Sequence, residues 1–163
     1  MSRFVVVHTS WYQEYINEMK EIILEELAGL KVNFYEVPGS LELAAMGKRA
    51  LIEGETHDDG DERLGGIIFC GVVVRGETTH YELVTTETFR EIGNLALDYP
   101  DIAIINNVIC VENEEQLKIR NKKNTLNNVK ALKTLAKSKE DFKGPPRRKS
   151  ALDFWYLWKT LPN

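Results

Sequence analysis

Hydrophobic and polar positions along the chain predict strands and helices in alternation. Four short, mainly apolar runs have the composition of strands: Arg3–His8, Val32–Val37, Gly66–Val74 and Ile102–Cys110. The third run is apolar at nearly every position, which predicts a strand that is covered on both faces. Between the runs, apolar residues recur at the spacing of amphipathic helices. The alternation predicts an α/β fold in which helices cover both faces of a parallel sheet.

Local signals predict where several of these helices begin and end. Gly29 lies close to the expected end of the first helix, and Ser40 is the predicted N-cap of the second. Thr79 and Glu82 have capping-box spacing at the start of a third helix, which is expected over residues 80–97. Beyond the fourth strand the pattern predicts one or two further helices, Val111–Thr125 and Leu126–Ala136.

Length and composition indicate one ordinary globular domain. The chain has 163 residues with a formal net charge of −4, and 43% of the residues are hydrophobic. No apolar run approaches the roughly 20 residues of a membrane span, and the N-terminus lacks the features of a signal peptide. Cys70 and Cys110 both lie in apolar runs, which argues against a disulfide framework or a zinc site. We therefore expect a cytoplasmic protein with no membrane partner.

Two segments depart from this average composition. Glu53–Glu62 holds six acidic residues and no basic one, which predicts a solvated loop. Lys137–Lys149 holds six basic residues against two acidic ones and is typical of a linker, whereas the apolar Ala151–Leu161 is expected to pack on another surface. We predict a domain over residues 1–137, then a basic linker and aromatic C-terminal tail over 138–163. Nucleic-acid binding by the linker would rest on charge alone, and the isoelectric point near 5.5 argues against it.

The loops that carry candidate chemistry all follow predicted strands. Thr9–Tyr12, Pro38–Glu42, Val74–His80 and the region of Asn106 are expected to converge at the carboxyl edge of the sheet, where folds of this class bind ligands. His80 lies in the first turn of a helix, whose unpaired amides and dipole form an anion site. Histidine is also the side chain that exchanges protons close to neutral pH.

Each candidate residue also has a purely structural interpretation. Thr79 could simply cap its helix while His80 is an exposed surface residue. Arg120, on the helix after the fourth strand, could grip a phosphate or belong to a solvated helix face. Trp11 could stack on a flat heteroaromatic ring or pack in the core. Cys110 could be a nucleophile, but a small apolar filler is the more frequent case.

The remaining motifs are weaker. His8 is expected in the core or at the rim, and His57 lies in the acidic stretch, where solvation is expected. No pair of histidines has metal-ligand spacing, so no metal site is predicted. The glycine patterns of dinucleotide-binding folds and P-loops do not occur.

Four segments, in order along the chain, resemble the 6,7-dimethyl-8-ribityllumazine synthase family. Arg75–Val84 (RGETTHYELV) is similar to that family's RGxTxH[FY] signature, and Val37–Ala44 (VPGSLELA) is similar to its VPGAFEIP segment. Asn106–Arg120 (NNVICVENEEQLKIR) resembles the family variant NGILTVENEEQ, and Trp11 follows the first strand where the family has an aromatic residue. The resemblance covers about residues 3–136.

The resemblance implies a fold, an assembly and a reaction. The fold is a flavodoxin-like three-layer α/β/α sandwich with a four-stranded parallel sheet, and the assembly is a homo-oligomeric pentamer or a sixty-subunit shell with active sites between neighbouring subunits. The reaction condenses 5-amino-6-(D-ribitylamino)uracil with 3,4-dihydroxy-2-butanone 4-phosphate, and gives 6,7-dimethyl-8-ribityllumazine, phosphate and water. The resemblance implies no metal and no organic cofactor, and it suggests riboflavin synthase as a further partner.

Carried over by position, the resemblance assigns roles to individual residues. It makes His80 the proton-transfer residue and places Arg120 on the phosphate in the site of the adjacent subunit. Trp11 would stack on the pyrimidine ring, and the backbone around Glu77 and Thr78 would hold the phosphate. The other implied substrate-binding residues are Ser40, Leu41, Glu42, Val72, Val73, Val74 and Asn106.

Departures from the common family pattern leave an alternative open. The chain has Asn106, Cys110 and Asn127–Val129 where that pattern has Phe, Thr and an Asn-Lys-Gly segment. The alternative is a non-catalytic relative that binds a pyrimidine or flavin or forms a shell. A generic flavodoxin-like flavin binder is disfavoured, because no Ser/Thr-rich phosphate loop follows the first strand.

Overall fold

The structure, a computed structural model, describes residues 2–56 and 63–140. Its elements follow the predicted alternation and include one short 3-10 turn. In chain order they are β1 Arg3–Thr9, α1 Gln13–Glu26, β2 Lys31–Val37, the 3-10 turn Ser40–Glu42, α2 Leu43–Thr56, β3 Leu64–Val74, α3 His80–Asp98, β4 Ala103–Val111 and α4 Glu114–Glu140. The predictions for His57, for most of the acidic stretch and for the aromatic tail fall outside the described residues.

The four strands form one parallel sheet in the order β2-β1-β3-β4. β1 pairs on both sides, so that Val7 lies opposite Tyr35 of β2 and Phe69 of β3. β4 is an edge strand that pairs with β3 as far as the Val74–Val111 position at their carboxyl ends. This architecture confirms the predicted flavodoxin-like α/β/α sandwich with a four-stranded parallel sheet.

Each face of the sheet is covered by one pair of helices. Ile68 and Phe69 are adjacent in β3 and fully buried, yet they belong to opposite cores. Ile68 lies in the cluster formed with α1 and α4, and Phe69 lies in the cluster formed with α2 and α3. This arrangement explains why nearly every position of β3 is apolar, because its side chains alternate between two apolar layers.

One predicted helix cap is wrong, and one predicted capping box does not form. Ser40 does not cap α2, because the chain first makes a 3-10 turn whose N-cap is Gly39, and the Glu42 N–H donates to the Gly39 carbonyl at 3.2 Å. Thr79 does precede α3, but its side chain makes no capping hydrogen bond. Glu82 does not reach back to complete a capping box; its carboxylate accepts a hydrogen bond from Arg75 instead. For Glu82, the ion pair with Arg75 therefore replaces the expected capping contact.

The remaining boundaries refine the sequence predictions. Gly29 follows the end of α1 with a φ of +83°, a left-handed conformation that glycine adopts without strain. Residues 53–56, predicted to belong to the acidic loop, form the last turn of α2. A single α4 follows β4, where one or two helices were expected. At its start, Asn113 Oδ1 accepts from the Gln116 N–H at 2.9 Å, and Gln116 Oε1 accepts from the Glu112 N–H at 2.9 Å.

Candidate active site

The carboxyl ends of the parallel strands bring three of the four predicted loops to one rim: Thr9–Tyr12, Pro38–Glu42 and Val74–His80. Hydrogen bonds join neighbouring loops there: the Ser10 N–H donates to the Val37 carbonyl at 2.9 Å, and the Ser10 hydroxyl donates to the Pro38 carbonyl at 3.0 Å. Towards the β4 edge of the sheet, the Arg75 N–H donates to the Val111 carbonyl at 2.9 Å. The rim is therefore built by contacts between loops that are distant in sequence.

Trp11 lies at this rim and not in the core. Its side chain is 67% exposed, which excludes the interpretation as an ordinary core tryptophan. The next residue, Tyr12, has a φ of +56° and is the N-cap of α1. A non-glycine residue in the left-handed region is uncommon, and such strain is often found beside functional sites. The indole face is accessible to a planar ligand.

The 3-10 turn lies against β3 at the same rim. Gly71 allows this approach, because a Cβ there would lie 3.4 Å from Ser40 Oγ and 3.3 Å from Thr9 Cγ2. Leu41 and Glu42 are exposed. The structure therefore places the turn where a ligand held by the rim would meet it.

The last three residues of β3 differ in how accessible their side chains are. Val73 and Val74 are half-buried, whereas the Val72 side chain is 4% exposed and lies in the core shared with α1 and α4. The structure thus brings Val73 and Val74 to the rim with partly accessible side chains. At Val72 the side chain belongs to the core.

The loop between β3 and α3 exposes the start of the helix. Glu77, Thr78 and His80 are all exposed, and the His80 N–H donates to Thr78 Oγ1 at 3.3 Å. A Cβ at Gly76 would have nothing within 4 Å, so a ligand can approach the backbone closely. The unpaired amides of the first turn and the positive end of the helix dipole together favour an anion. His80 is the first residue of this helix.

Arg75 connects this loop to two other elements. Its Nε donates to Glu112 Oε2 at 2.5 Å, and its Nη1 donates to Glu82 in the first turn of α3. The guanidinium also lies over the Tyr81 ring, 4.1 Å from the centroid. The hydrogen bond from Arg75 lowers the pKa of Glu82, and the two carboxylates together raise the pKa of Arg75.

Arg120 lies in a separate groove on the outer side of β4. The groove has a volume of about 470 Å³, and its lining residues are Phe89, Val108, Ile109, Cys110, Val111, Gln116, Ile119, Arg120 and Asn124. Phe89 is nine residues along α3 from His80, a helical distance of about 13 Å. Neither His80 nor any residue of the loop Arg75–Thr79 lines this groove, so within one subunit Arg120 and His80 do not share it.

The prediction that the region of Asn106 reaches the rim is wrong, because Asn106 lies within β4 and not after it. It is five positions before Val111, which is about 16 Å along a strand. Asn106 Oδ1 accepts from the Val108 N–H at 2.9 Å, and the Asn106 carbonyl accepts from Asn128 Nδ2 at 3.5 Å. The side chains of Asn106 and Asn128 thus hydrogen-bond to backbone groups of the edge strand β4.

Comparison with known proteins decides the family. The family model for 6,7-dimethyl-8-ribityllumazine synthase matches residues 1–139. The chain belongs to this family. The match extends over the whole described sheet and all four helices, which confirms the resemblance found in the four sequence segments.

Individual relatives agree with the assignment to the lumazine synthase family. The 6,7-dimethyl-8-ribityllumazine synthase of Novosphingobium aromaticivorans is 37% identical over 124 residues, which are 74% of this chain and 81% of the relative. That of Erythrobacter litoralis is 36% identical over 121 residues, 71% of this chain and 77% of the relative. The protein named 6,7-dimethyl-8-ribityllumazine synthase 1 in Rhizobium meliloti is 32% identical over 114 residues, 69% of this chain and 72% of the relative.

The other candidate residues of this lumazine synthase family member are poorly suited to catalysis. Burial raises the pKa of Cys110 to about 11, and Cys70 is fully buried with its pKa raised to about 12. A thiol with a raised pKa is a weak nucleophile, which supports the interpretation of Cys110 as an apolar filler. His8 is 3% exposed, and burial lowers its pKa. It lies in the core near the end of β1, as one of the two predictions had it.

The described residues contain neither a cluster suited to bind a metal nor a helix suited to span a membrane. Among residues 2–56 and 63–140, no group of three or more histidine, cysteine, aspartate or glutamate side chains could hold a metal ion. None of the helices in these two ranges is both long and apolar enough to span a bilayer.

Sequence reasoning missed the contacts that brace the rim. The Asn113–Gln116 pair has the spacing of an N-terminal cap and could have been found from the sequence. The bond between Arg75 and Glu112 joins residues 37 positions apart, and no local pattern predicts it. The Arg75–Glu112 bond holds the start of α4 beside the loop that leads to His80, and the Asn113–Gln116 pair stabilises that helix start.

Proposed function

We propose that the chain condenses 5-amino-6-(D-ribitylamino)uracil with 3,4-dihydroxy-2-butanone 4-phosphate to form 6,7-dimethyl-8-ribityllumazine, phosphate and water. The observation that carries the proposal is the exposed loop Arg75–Thr79, which leads to an exposed His80 at the start of α3. Membership of the lumazine synthase family supports the same reaction. The non-catalytic alternative has no observation in its favour within the described residues.

His80 moves protons during the condensation. Imine formation and ring closure require proton transfer at nitrogen and oxygen, and an exposed imidazole at the rim can give and accept protons in turn. Its amide is bonded to Thr78 Oγ1, which helps to fix the start of the helix. Replacing the imidazole removes the exchangeable proton while leaving the backbone anion site in place.

The phosphate of the second substrate binds at the start of α3. The backbone around Glu77 and Thr78 supplies N–H donors, and the open space at Gly76 lets the phosphate approach. Elimination of phosphate requires stabilisation of the leaving dianion, which amides and a guanidinium provide. That guanidinium is Arg120 of a neighbouring subunit, since Arg120 lies in a different groove from His80 within one chain.

The pyrimidine substrate binds on the other side of the rim. Trp11 stacks on its ring, and Ser40, Leu41 and Glu42 line the pyrimidine and its ribityl chain, together with the end of β3. Holding two substrates in reactive alignment accounts for much of the remaining acceleration. Asn106 of the neighbouring subunit contributes to the wall of the same site.

The subunits assemble through the side of the molecule that carries the Arg120 groove. Leu83 and Phe89 of α3 and Ile119 of α4 are exposed apolar residues, and apolar surface of this kind favours association. Asn106 and Asn128 cover edge groups of β4, so the neighbour packs through side chains and does not extend the sheet. A homo-pentamer, or a sixty-subunit shell of pentamers, would place each groove beside a neighbouring rim.

Three further statements are part of the proposal and stand as predictions. The substrates are small molecules, and riboflavin synthase is the expected protein partner in the pathway. The cellular location is the cytoplasm, in keeping with two free cysteines. The catalytic domain is predicted over residues 1–137 and a separate linker and tail over 138–163, whereas the family match ends at residue 139 and α4 at Glu140.

A fluorescence assay of product formation tests the reaction. Purified protein mixed with both substrates should form the fluorescent lumazine, and His80→Ala should lower kcat by about 10²-fold or more, because general acid–base catalysis contributes about 10²–10⁴-fold. Sedimentation velocity shows the same oligomer for both proteins. A folded, oligomeric wild-type protein that forms no product would refute the proposed reaction, and an unchanged kcat in the variant would remove His80 from the mechanism.

A further inference from the structure

We propose that Arg75 is a positioning residue for this reaction, which fixes the phosphate-binding loop and His80 by tying them to the start of α4. The inference rests on the proposed function and adds a role that the exposed site residues do not fulfil themselves. Arg75 is the first residue after β3, so it stands at the base of the loop that ends at His80.

The guanidinium makes three contacts on three different sides. Nε donates to Glu112 Oε2 at 2.5 Å, Nη1 donates to Glu82, and the plane lies over the Tyr81 ring. Glu82 and Tyr81 belong to the first turn of α3, whereas Glu112 directly precedes Asn113 and α4. One planar side chain thus sets the distance between two helix starts.

The anchor on the α4 side is itself held in place. The Glu112 N–H donates to Gln116 Oε1, and the Gln116 N–H donates to Asn113 Oδ1, each at 2.9 Å. The Arg75 N–H donates to the Val111 carbonyl, so the backbone joins the two strands at the same point. Glu112 is therefore a fixed point to which the guanidinium can tie the loop.

The loop itself needs such a restraint. Gly76 has open space around it, and Glu77, Thr78 and Thr79 are exposed. Glycine and exposed residues leave the backbone free to move unless a contact limits it. Reaction rates respond steeply to this freedom, because a displacement of about 1 Å can lower a rate by about 10²-fold.

The same contacts argue against direct binding of a substrate by Arg75. Two of its donors, Nε and Nη1, are occupied by carboxylates, and one face of its plane lies against the Tyr81 ring. Its charge is thereby balanced by the carboxylates instead of being offered to a phosphate. Exposed ion pairs of this kind add little to folding stability, so the effect of Arg75 is on geometry.

Steady-state kinetics of Arg75→Lys test the inference. Lysine keeps the charge but lacks the planar fork that reaches two carboxylates and stacks on a ring. We expect kcat to fall by about tenfold or more, with a raised KM for the butanone phosphate and an unchanged KM for the pyrimidine, which binds on the other side of the rim. A general structural defect would change both KM values together.

Arg49→Lys is the matched control. Arg49 is exposed and its Nε donates to Glu53 at 2.8 Å, so the substitution changes an arginine–carboxylate pair whose two residues both lie in α2. We expect wild-type kinetics from this variant, and the same midpoint of thermal unfolding for both lysine variants. Glu112→Ala is a second variant, which cuts the tie to α4 while leaving Arg75 in place, and we expect a lower kcat from it as well.

The outcomes separate this inference from the proposed function. If the wild type is active and Arg75→Lys retains its kcat and both KM values within about twofold, the positioning role is wrong and the reaction stands. If Arg75→Lys does not fold, Glu112→Ala decides: a wild-type kcat overturns the role, and a reduced kcat with only the butanone phosphate KM raised supports it. If the wild type forms no product, the proposed function fails and the role of Arg75 fails with it.

Discussion

Gly47 lies in α2 where the helix contacts the centre of the sheet, and its replacement by alanine tests the packing that supports the rim. A Cβ at this position would lie 2.3 Å from Cζ and 2.5 Å from Cε1 of Phe69. Phe69 is fully buried in β3 among residues of α2 and α3, so its ring cannot move aside freely. Gly93 of α3 offers a matched control, because a Cβ there would have nothing within 4 Å.

The magnitude follows from the difference between the two sites. Alanine is the better helix former by about 0.5–1 kcal/mol in both helices, so this gain cancels in the comparison. Inserting a methyl group into a filled core costs about 1–3 kcal/mol, and only Gly47→Ala incurs this cost. We therefore expect the free energy of unfolding of Gly47→Ala to be about 1–3 kcal/mol below that of Gly93→Ala.

Urea unfolding followed by circular dichroism measures this difference. All proteins are compared at one concentration, because assembly links stability to concentration. Gly93→Ala should be as stable as the wild type or more stable by about 0.5–1 kcal/mol. If Gly47→Ala proves as stable as Gly93→Ala with an unchanged denaturant slope, the space beside Phe69 is not filled as described, and the packing argument is refuted.

Three other predictions concern single side chains. Trp11→Ala should raise the KM for the pyrimidine by about 10–100-fold, since stacking contributes about 1–3 kcal/mol per base. It should leave urea unfolding unchanged because the side chain is 67% exposed. An unchanged KM would remove Trp11 from the site. The thiols of Cys70 and Cys110 should react with a disulfide reagent at about pH 8 far more slowly in the native protein than in guanidinium chloride. The reason is that burial raises their pKa values to about 12 and about 11. Rapid reaction of both native thiols would contradict this prediction. Burial lowers the pKa of His8 below the ordinary value of 6.5, so the unfolded chain binds the proton first and the free energy of unfolding falls as the pH drops below 6.5. Urea titrations above and below that pH should show a smaller loss of stability in His8→Asn than in the wild type. An equal loss in both proteins would contradict the assignment.

The fold could be predicted from the sequence because buried parallel strands leave a strong pattern. The runs at Gly66–Val74 and Arg3–His8 are apolar since helices cover both faces of the sheet, and each observed strand lies within two residues of its prediction. The helix caps could not be predicted equally well. Glu82 has the spacing of a capping box, but Arg75 offers its carboxylate a charged partner, and local sequence does not contain that competition.

The candidate site could be predicted in part for the same reason. His80 and Trp11 follow strands directly, so a parallel sheet places their loops at one rim whatever the details of packing. Arg120 lies on a helix that descends from the rim, and its groove faces the side of the subunit. A sequence alone does not reveal which neighbour completes such a groove, because that depends on the surface geometry of two subunits.

Mixed assemblies test the central claim, a site that combines His80 of one subunit with Arg120 of the next. His80→Ala and Arg120→Ala chains are co-expressed with different tags, and particles that contain both are purified and assayed for lumazine formation. Each variant alone is nearly inactive, whereas random mixing leaves both groups intact at about a quarter of the interfaces, which predicts about a quarter of wild-type activity. Mixed particles that are as inactive as the two parents would contradict a site shared between subunits.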